Sequence, residues 1–279
     1  MIKNNSLIFG STGFIGTKVV SYLKNFEGSI ITISRKKNPD FGSLVDQIIL
    51  KDFNFKNTDL PKIDHVFICL GTKLRAWELL FMRKEKKDTF IKTDFDLILD
   101  AAKKAKSSGA KTISLVSAVG VKEGSLNTYM DIKGKVENEI IKLEFESINF
   151  FRPGHLQGKA SSEKWDTAVA DFFSKIMDIF LIGPFSKFKS IEGDQVAKAM
   201  VYETLNSKPG VNIFYFKEMI QSFIKATPSE WVNFLPDSGI ITPGSKESIL
   251  CNKIDSFGLP GTMENLIPSL ALPAATGFL

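Results

Sequence analysis

The stretch LIFGSTGFIGTKVVSYL, residues 7–23, decides the fold of this chain. Its apolar start is typical of a buried strand, and its second half has the period of an amphipathic helix. Between the two lie Gly10, Gly13 and Gly16. Glycines in this context let the backbone turn tightly and let a diphosphate reach the N–H groups at the positive end of the helix. The alternative is a turn that uses glycine for packing alone, but the position and flanks favour dinucleotide binding.

The first two thirds of the chain alternate short apolar runs with longer periodic segments, which is the pattern of βαβ units around a parallel sheet. The sequence predicts six strands, at residues 6–10, 29–34, 47–50, 65–71, 112–117 and 147–151. It predicts helices near residues 14–25, 89–107 and 127–144. This order of elements predicts an α/β fold with a Rossmann-type doubly wound parallel sheet.

The pattern loosens after residue 151. The sequence there predicts two helices and a late strand, at residues 162–180, 192–205 and 211–216. From residue 227 onward Pro and Gly recur and the periodicity is poor. We therefore expect an NAD(P)-binding Rossmann domain over residues 1–226, whose elements after 151 line the substrate. We expect residues 227–279 to form a small, irregular, substrate-binding extension.

Composition limits the class of protein. With 43% hydrophobic and 24% charged residues, the chain is expected to fold, and its net charge of +5 suits a polyphosphate ligand as well as nucleic acid. The only cysteines, Cys69 and Cys251, are too few for a disulfide framework, which indicates a reducing, cytoplasmic setting. No apolar run approaches the ~18 residues of a membrane span. We expect a soluble, unprocessed protein.

A candidate catalytic group follows the predicted fifth strand. Ser117 stands at the carboxyl end of that strand, and Tyr129 opens the next predicted helix. In a doubly wound sheet both face the crevice that the glycine turn lines. Reduction of a carbonyl by hydride needs a proton donor and a hydrogen bond to the forming alkoxide, which Tyr129 and Ser117 can supply. Lys133, one turn beyond Tyr129, adds a positive charge that favours the phenolate and a donor for the nicotinamide ribose.

A tyrosine and a lysine four residues apart also occur on many helices as a simple surface pair. We expect Val136 and Ile140 to continue the buried stripe of this helix, with Glu137 and Glu139 on its outer faces.

The second predicted strand ends in ISRKKN, where a Rossmann fold distinguishes the two nicotinamide cofactors. An acidic residue there accepts hydrogen bonds from a ribose 2′-hydroxyl, whereas Arg or Lys accommodates a 2′-phosphate. Arg35 and Lys36 therefore favour NADP(H) over NAD(H). A solvated basic strand end is the alternative. The fourth strand ends in CLGT, which places Leu70 and Gly71 at the same edge, beside the cofactor ribose or in a tight exit turn.

Three motifs in this order resemble the short-chain dehydrogenase/reductase superfamily: the glycine turn, Ser117 after strand five, and Tyr129 with Lys133 four residues on. The stretches VFICLGT, SLVSAVGV, YMDIKGKVENEI and FRPGHL are similar to its atypical branch, that of the Tat-interacting NADPH-binding oxidoreductases. The resemblance covers roughly residues 5–205. The superfamily implies an NADP(H)-dependent oxidoreductase.

The resemblance also implies the roles of single residues. It maps the proton donor to Tyr129, with Lys133 beside it and Ser117 as partner of the substrate carbonyl. Cofactor contacts carry over to Gly10, Ser11, Thr12, Gly13, Phe14, Ile15, Gly16, Arg35, Lys36, Leu70, Gly71, Tyr129, Lys133 and Leu156. Arg152, shortly before Leu156, is expected to be a packed or paired structural residue.

Other features carry less information. The 73–92 segment is longer than the resemblance leads us to expect, and its RKEKK run with Trp77 and Phe81 is read as a solvated helical face or a lid, so no nucleic acid is expected. Two histidines, His65 and His155, without clustered carboxylates make a catalytic metal improbable. The stretch FFSKIMDIFLIGPF predicts core, an apolar substrate face or the face of a homodimer.

The leading hypothesis is hydride transfer between NADP(H) and a small-molecule carbonyl or alcohol. One alternative is a non-catalytic regulator that senses NADP(H) and binds a protein partner, because fold alone does not establish function. An isomerase or epimerase with bound NAD is a third possibility, which Arg35 and Lys36 disfavour.

Overall fold

A seven-stranded, wholly parallel sheet forms the centre of the protein. The computed structural model describes residues 4–55, 58–72, 84–158 and 183–226. The strands of the large sheet are β1 (Ser6–Phe9), β2 (Ile30–Ser34), β3 (Val45–Ile49), β4 (His65–Ile68), β5 (Thr112–Val116), β6 (Ser147–Phe151) and β9 (Gly210–Phe214). A separate parallel pair joins β7 (Leu156–Gln157) to β8 (Ile191–Glu192). The order β3-β2-β1-β4-β5-β6-β9 confirms the predicted doubly wound α/β sheet.

Helices cover both faces of this sheet. They are α1 (Phe14–Leu23), α2 (Lys84–Ile91), α3 (Ile98–Ser107), α4 (Thr128–Ile141), α5 (Gly193–Leu205) and α6 (Phe216–Lys225). A π-helical turn, Lys92–Leu97, joins α2 to α3, and Pro39–Phe41 and Gly183–Phe188 form 3₁₀ turns. Helices α1 and α5 pack against each other, and α3 packs against α4.

The strand sequences explain why the sheet is central. Every residue of β1, β2 and β6 is buried, as expected for parallel strands that are covered on both faces. Alternate side chains divide between the faces, so Leu7 and Phe9 join the cluster that includes Ala101 and Val136 of α3 and α4. Each fully buried side chain of this size contributes about 1.5–3 kcal/mol to the free energy of folding.

The chain order reverses on either side of β1, which lies between β2 and β4. Ligands of open α/β sheets bind at such a switch point, beyond the carboxyl ends of the strands. The glycine turn after β1 and the exits of β4 and β5 all lie at this edge.

The structure differs from the predictions in three places. The predicted helix at 89–107 is divided by the π-helical turn. The late strand ends at Phe214, and α6 begins at Phe216 because its apolar residues recur with helical spacing and bury Met219 and Ile220. The short β7–β8 pair was not predicted.

Several predictions fall outside the described residues: the helix at 162–180, the greater part of the 73–92 segment and the extension from 227. Contacts divide the chain into Met1–Glu230 and Trp231–Leu279, and every described residue belongs to the first unit. Within the described ranges, no helix is both long and apolar enough to cross a membrane.

Candidate active site

The glycine turn is packed so closely that two of its glycines admit no side chain. A Cβ on Gly10 would lie 2.6 Å from the carbonyl oxygen of Cys69, and its φ of +78° also favours glycine. A Cβ on Gly16 would lie 2.1 Å from the carbonyl oxygen of Gly10. These contacts press the first turn of α1 and the exit of β4 against the end of β1.

The third glycine leaves the start of α1 open. Gly13 is the N-cap residue and provides no side-chain cap, and the first turn contains no acidic residue. The first N–H groups of a helix have no partner within the helix, and the helix dipole makes that end positive. An anionic group fits there without competition from a capping side chain.

Buried hydroxyls add to the polar character of this edge. Ser11 is fully buried, and among the described residues neither its hydroxyl nor the buried hydroxyl of Thr72 has a hydrogen-bond partner. Thr12 is exposed beside them. The uncapped helix and these unsatisfied donors fit a dinucleotide diphosphate, which brings many acceptor oxygens.

The predicted basic pair lies next along the same edge. Arg35 and Lys36 are exposed directly after β2, the strand that pairs with β1. The Ser34 hydroxyl donates a hydrogen bond of 2.7 Å to the carbonyl oxygen of Lys36 and so fixes this turn. Both basic side chains are therefore available to a phosphate group.

The segment after β6 also reaches the glycine turn. A Cβ on Gly158 would lie 2.9 Å from the Phe14 ring, and one on Gly193 would lie 2.4 Å from it. The ring of Phe14 thus packs against both glycines at the start of α1. Leu156, two residues before Gly158, is half-buried in β7.

Helix α4 brings Tyr129 and Lys133 to the edge. Its N-cap residue Asn127 accepts a hydrogen bond of 3.1 Å from the N–H of Met130, which begins the helix just before Tyr129. The tyrosine ring packs on Phe90, with 5.4 Å between ring centroids. Burial raises the pKa of Tyr129, the Lys133 charge opposes this rise, and Asp94 adds to it. Burial is the largest of these influences, so the folded protein favours the neutral phenol over the phenolate.

Lys133 is paired within the interior. Its Nζ lies 3.0 Å from Oδ1 of Asp94, and the two side chains are 5% and 1% exposed. Burial opposes the lysine charge, but Asp94 and Tyr129 more than compensate, so the pKa of Lys133 is raised. The other oxygen of Asp94 accepts a hydrogen bond of 2.7 Å from the N–H of Thr72.

Ser117 belongs to a second buried network. Its hydroxyl donates to Oε1 of Glu137 at 2.5 Å, and Arg152 donates to both oxygens of the same carboxylate. Arg152 also donates to the Tyr215 hydroxyl at 2.8 Å. Arg152 is therefore paired, as expected from the sequence. The hydroxyl proton of Ser117 points to Glu137.

The expectation that Glu137 lies on an outer face of the helix is wrong, because this residue is only 3% exposed. Residues 129, 133 and 137 are four apart and share one helical face, so the spacing could have placed Glu137 beside Lys133. Asp94 and Thr72 had no such signal. Tertiary packing of the π-helical turn against α4 brings Asp94 to Lys133.

The fold and the glycine turn together define a protein of the Rossmann-type α/β class. Solved structures with a similar fold include UDP-glucose 4-epimerase from Thermotoga maritima, with a TM-score of 0.57, 17% identity and coverage of 80% of this chain and 81% of that one. MoeE5, solved with UDP-glucose and NAD, has a TM-score of 0.55 at 14% identity, and the match covers 80% of this chain and 82% of that one.

Sequence relatives define the family more closely, although no family model matches the chain. The mitochondrial protein FMP52 of Debaryomyces hansenii is 32% identical over 214 residues, which is 74% of this chain and 88% of the relative. The FMP52 protein of Meyerozyma guilliermondii is 30% identical over 207 residues, which is 72% of this chain and 85% of the relative. HTATIP2 of Rattus norvegicus is 26% identical and covers 65% and 76%. The chain belongs to the atypical short-chain dehydrogenase/reductase family of these proteins.

This membership confirms the resemblance seen in the sequence, and it corrects one expectation. The cytoplasmic location was wrong, because the FMP52 relatives are named as mitochondrial proteins. A low cysteine count argues only against an oxidising compartment and does not separate one reducing compartment from another.

Proposed function

We propose that the protein is an NADP(H)-dependent oxidoreductase that transfers hydride between the nicotinamide and a carbonyl or alcohol substrate. One observation carries this proposal: Lys133, one turn from Tyr129 on α4, is joined through Asp94 to the backbone of Thr72 after β4, at the sheet edge where α1 presents its uncapped end. The structure of MoeE5 with NAD supports a nicotinamide dinucleotide as the class of cofactor.

The cofactor would be held along the carboxyl edge of β1, β2 and β4. The N–H groups of residues 14–16 would bind the diphosphate, and Arg35 and Lys36 would bind the 2′-phosphate of NADP(H). Leu70, Gly71 and Leu156 would lie along the ribose and nicotinamide.

A bound nicotinamide supplies or accepts the hydride. Tyr129 donates a proton to the substrate oxygen during reduction, since a phenol carries its proton at neutral pH. Lys133 stabilises the phenolate that remains after donation. Ser117 hydrogen-bonds the substrate oxygen when its proton turns away from Glu137, whose charge is already neutralised by Arg152.

Cofactor preference is tested by titrating the purified chain with NADPH and with NADH. We expect NADPH to bind more tightly, and the double variant Arg35→Ala/Lys36→Ala to lose at least about tenfold in NADPH affinity, since a single hydrogen bond to a charged group contributes about 1.5–3 kcal/mol. Binding of NADH should stay unchanged. Lys37→Ala, the next exposed basic residue, is the matched control. Equal affinities of the unaltered chain for both cofactors would contradict the assignment of NADP(H).

Turnover is tested by following NADPH absorbance across a panel of aldehydes and ketones. Oxidation of NADPH with at least one carbonyl supports the oxidoreductase. Tight NADPH binding without oxidation across the whole panel would instead favour the alternative function, a cofactor-sensing regulator of a protein partner.

We also propose that the protein works in mitochondria, because its FMP52 relatives carry that location in their names. Fractionation of the native cells with detection of the untagged chain would test this, and exclusive recovery outside the mitochondrial fraction would contradict it.

A further inference from the structure

We propose that the ring of Phe14 is a positioning group, which holds the small sheet β7–β8 against the start of α1 and, through that sheet, places the nicotinamide half of the cofactor. The part that concerns the cofactor rests on the proposed function. That function uses only the backbone N–H of Phe14, at the diphosphate, so the ring has a role of its own.

Both strands of the small sheet end at this ring. Gly158 directly follows β7, and Gly193 directly follows β8. A Cβ on Gly158 would lie 2.9 Å from the ring, and one on Gly193 would lie 2.4 Å from it. The ring therefore fills the space beyond both strand ends, and protein interiors leave few gaps to take up a change in such a contact. One side chain of α1 thus sets the distance between the small sheet and the glycine turn.

The backbone does not explain the glycine at 193. Gly158 has a φ of +123°, which by itself favours glycine. Gly193 has no positive φ and is the first residue of α5, where alanine is the better helix former. Close packing is what excludes a side chain there, with the Phe14 ring nearest and the Ile15 side chain next, at 3.2 Å from the position of a Cβ.

Lys18 holds the ring from a further side. Its Nζ lies 5.7 Å from the centroid of the Phe14 ring and 3.6 Å from Oδ1 of Asp194, the residue after Gly193. The ammonium group thus joins the ring on α1 to the first turn of α5. With a cation over it and two glycines against it, the ring has little freedom to adopt another rotamer.

The position of the small sheet matters for the cofactor because β7 contains Leu156, which we assign to its nicotinamide side. The two strands are joined by the N–H of Ile191, which donates to the carbonyl oxygen of His155 at 2.9 Å. A pair of such short strands has little stability of its own, so the packing around it decides where it lies. The diphosphate needs only the N–H groups of α1. Loss of the ring should therefore weaken the hold on the nicotinamide and spare the diphosphate.

The test compares two ligands by isothermal titration calorimetry: NADPH, and 2′-phospho-ADP-ribose, which is the same dinucleotide without its nicotinamide. In Phe14→Ala we expect the dissociation constant of NADPH to rise about fivefold or more, the low end for coupling between two sites, and that of 2′-phospho-ADP-ribose to stay within about twofold. Leu23→Ala is the matched control, because Leu23 is buried at the far end of α1, and it should lower stability without changing either constant. Equal changes for both ligands in Phe14→Ala, or no change in either, would overturn the proposal.

A second pair of variants moves the ring without replacing it. In Gly193→Ala the new methyl group takes space that the ring occupies, so NADPH affinity should again fall while 2′-phospho-ADP-ribose affinity holds. In Phe14→Ala that space is empty, and adding Gly193→Ala should cause no further loss. Alanine at this position also favours α5, so the single variant should still fold. Losses that add up in the double variant would contradict a shared cause.

Hydrogen exchange in the cofactor-free chain distinguishes a failure of this proposal from a failure of the proposed function. The amide of Ile191 should exchange faster in Phe14→Ala, while the amides of β6 keep their original rates. Unchanged exchange at Ile191 would reject the link between Phe14 and the small sheet, whatever the binding results. Faster exchange in a chain that binds no NADPH would retain that link and reject the proposed cofactor, and with it the placement of the nicotinamide.

Discussion

Two buried ion pairs meet helix α4 one turn apart, and they place opposite charges on it. In the pair Asp94–Lys133 the helix supplies the cation, whereas in Glu137–Arg152 it supplies the anion. The cation Lys133 remains within electrostatic reach of Tyr129. The anion Glu137 instead accepts a hydrogen bond from the Ser117 hydroxyl. The same kind of contact thus leaves a helix cation beside a tyrosine in one pair and a helix anion hydrogen-bonded to a serine in the other.

The comparison teaches that burial and pairing do not by themselves identify a catalytic charge. Breaking a buried pair by removing one partner costs about 3–5 kcal/mol of stability in either case. Only removal of Lys133, the cation near Tyr129, should also reduce turnover. Each prediction below separates these two effects.

The largest difference between the pairs should appear in turnover with Lys133→Met. We expect kcat to fall by about 10²–10³-fold, the usual loss when one group that stabilises developing charge is removed. Affinity for the diphosphate portion of the cofactor should change little, because that portion lies at α1. Steady-state kinetics with NADPH and an active carbonyl measure the loss. A decrease of less than tenfold would show that Lys133, like Arg152, contributes only to stability.

Removal of the structural cation should mainly affect stability. Arg152→Met leaves Glu137 buried and unpaired, so we expect the free energy of unfolding to fall by about 3–5 kcal/mol. Turnover per folded molecule should remain within about tenfold. The control is Lys135→Met, which breaks an exposed pair with Asp131 on the same helix and should cost less than about 1 kcal/mol. Urea unfolding of the unaltered chain and the two variants measures these free energies. Equal losses in Arg152→Met and Lys135→Met would contradict the expected contrast.

A smaller effect is expected from Ser117→Ala. Loss of its hydrogen bond to Glu137 should cost about 1 kcal/mol of stability, and loss of the contact with the substrate oxygen should reduce kcat about 10²-fold, the low end for such a donor. Ser114→Ala on the same strand is a matched control, since its hydroxyl is buried on Thr204 at 2.6 Å and away from the edge. Ser114→Ala should lose about as much unfolding free energy as Ser117→Ala but keep the kcat of the unaltered chain. Reduced turnover in both would show that Ser117 acts through folding alone.

The smallest effect concerns alkaline pH. The folded-state pKa values of Lys133 and Tyr129 are both raised above their ordinary values of 10.5 and 10.0. Their contributions to stability are therefore complete below about pH 10 and are lost as pH rises through the folded-state values. The pKa of Arg152 is also raised, so the second pair keeps its cation over this range. The decline in unfolding free energy above pH 10 should be shallower in Tyr129→Phe than in the unaltered chain, and an identical slope would count against the shift.

The architecture could be predicted from the sequence because the local hydrophobic patterns agree with the packing of the folded protein. Continuous apolar runs such as SLIF and IITIS form strands that are covered on both faces, and Gly10 and Gly16 are required by contacts of under 3 Å. The spacing of Tyr129 and Lys133 places both on one face of a helix, and the glycine turn and Ser117 indicate the edge that this face meets. Apolar runs, glycine positions and a four-residue helical spacing are all visible in a single sequence.

The rest of the site depends on contacts between residues far apart in the chain. Asp94 lies 22 residues from Thr72 and on a different helix from Lys133, and no local period indicates that the π-helical turn faces α4. The sequence alone suggests that Glu137 is solvated, because Arg152, which neutralises its charge, is 15 residues away along the chain. Charged residues with distant partners are therefore the part that single-sequence analysis is least able to place.

The central claim is that Tyr129 donates a proton to a reduced carbonyl beside a bound nicotinamide. Its most direct test is to measure kcat and the NADPH dissociation constant of Tyr129→Phe in the same preparation as the unaltered chain. We predict that kcat falls by about 10²–10⁴-fold while the dissociation constant stays within about threefold, because phenylalanine keeps the ring contact with Phe90. Unchanged turnover of every active substrate in Tyr129→Phe would contradict the claim.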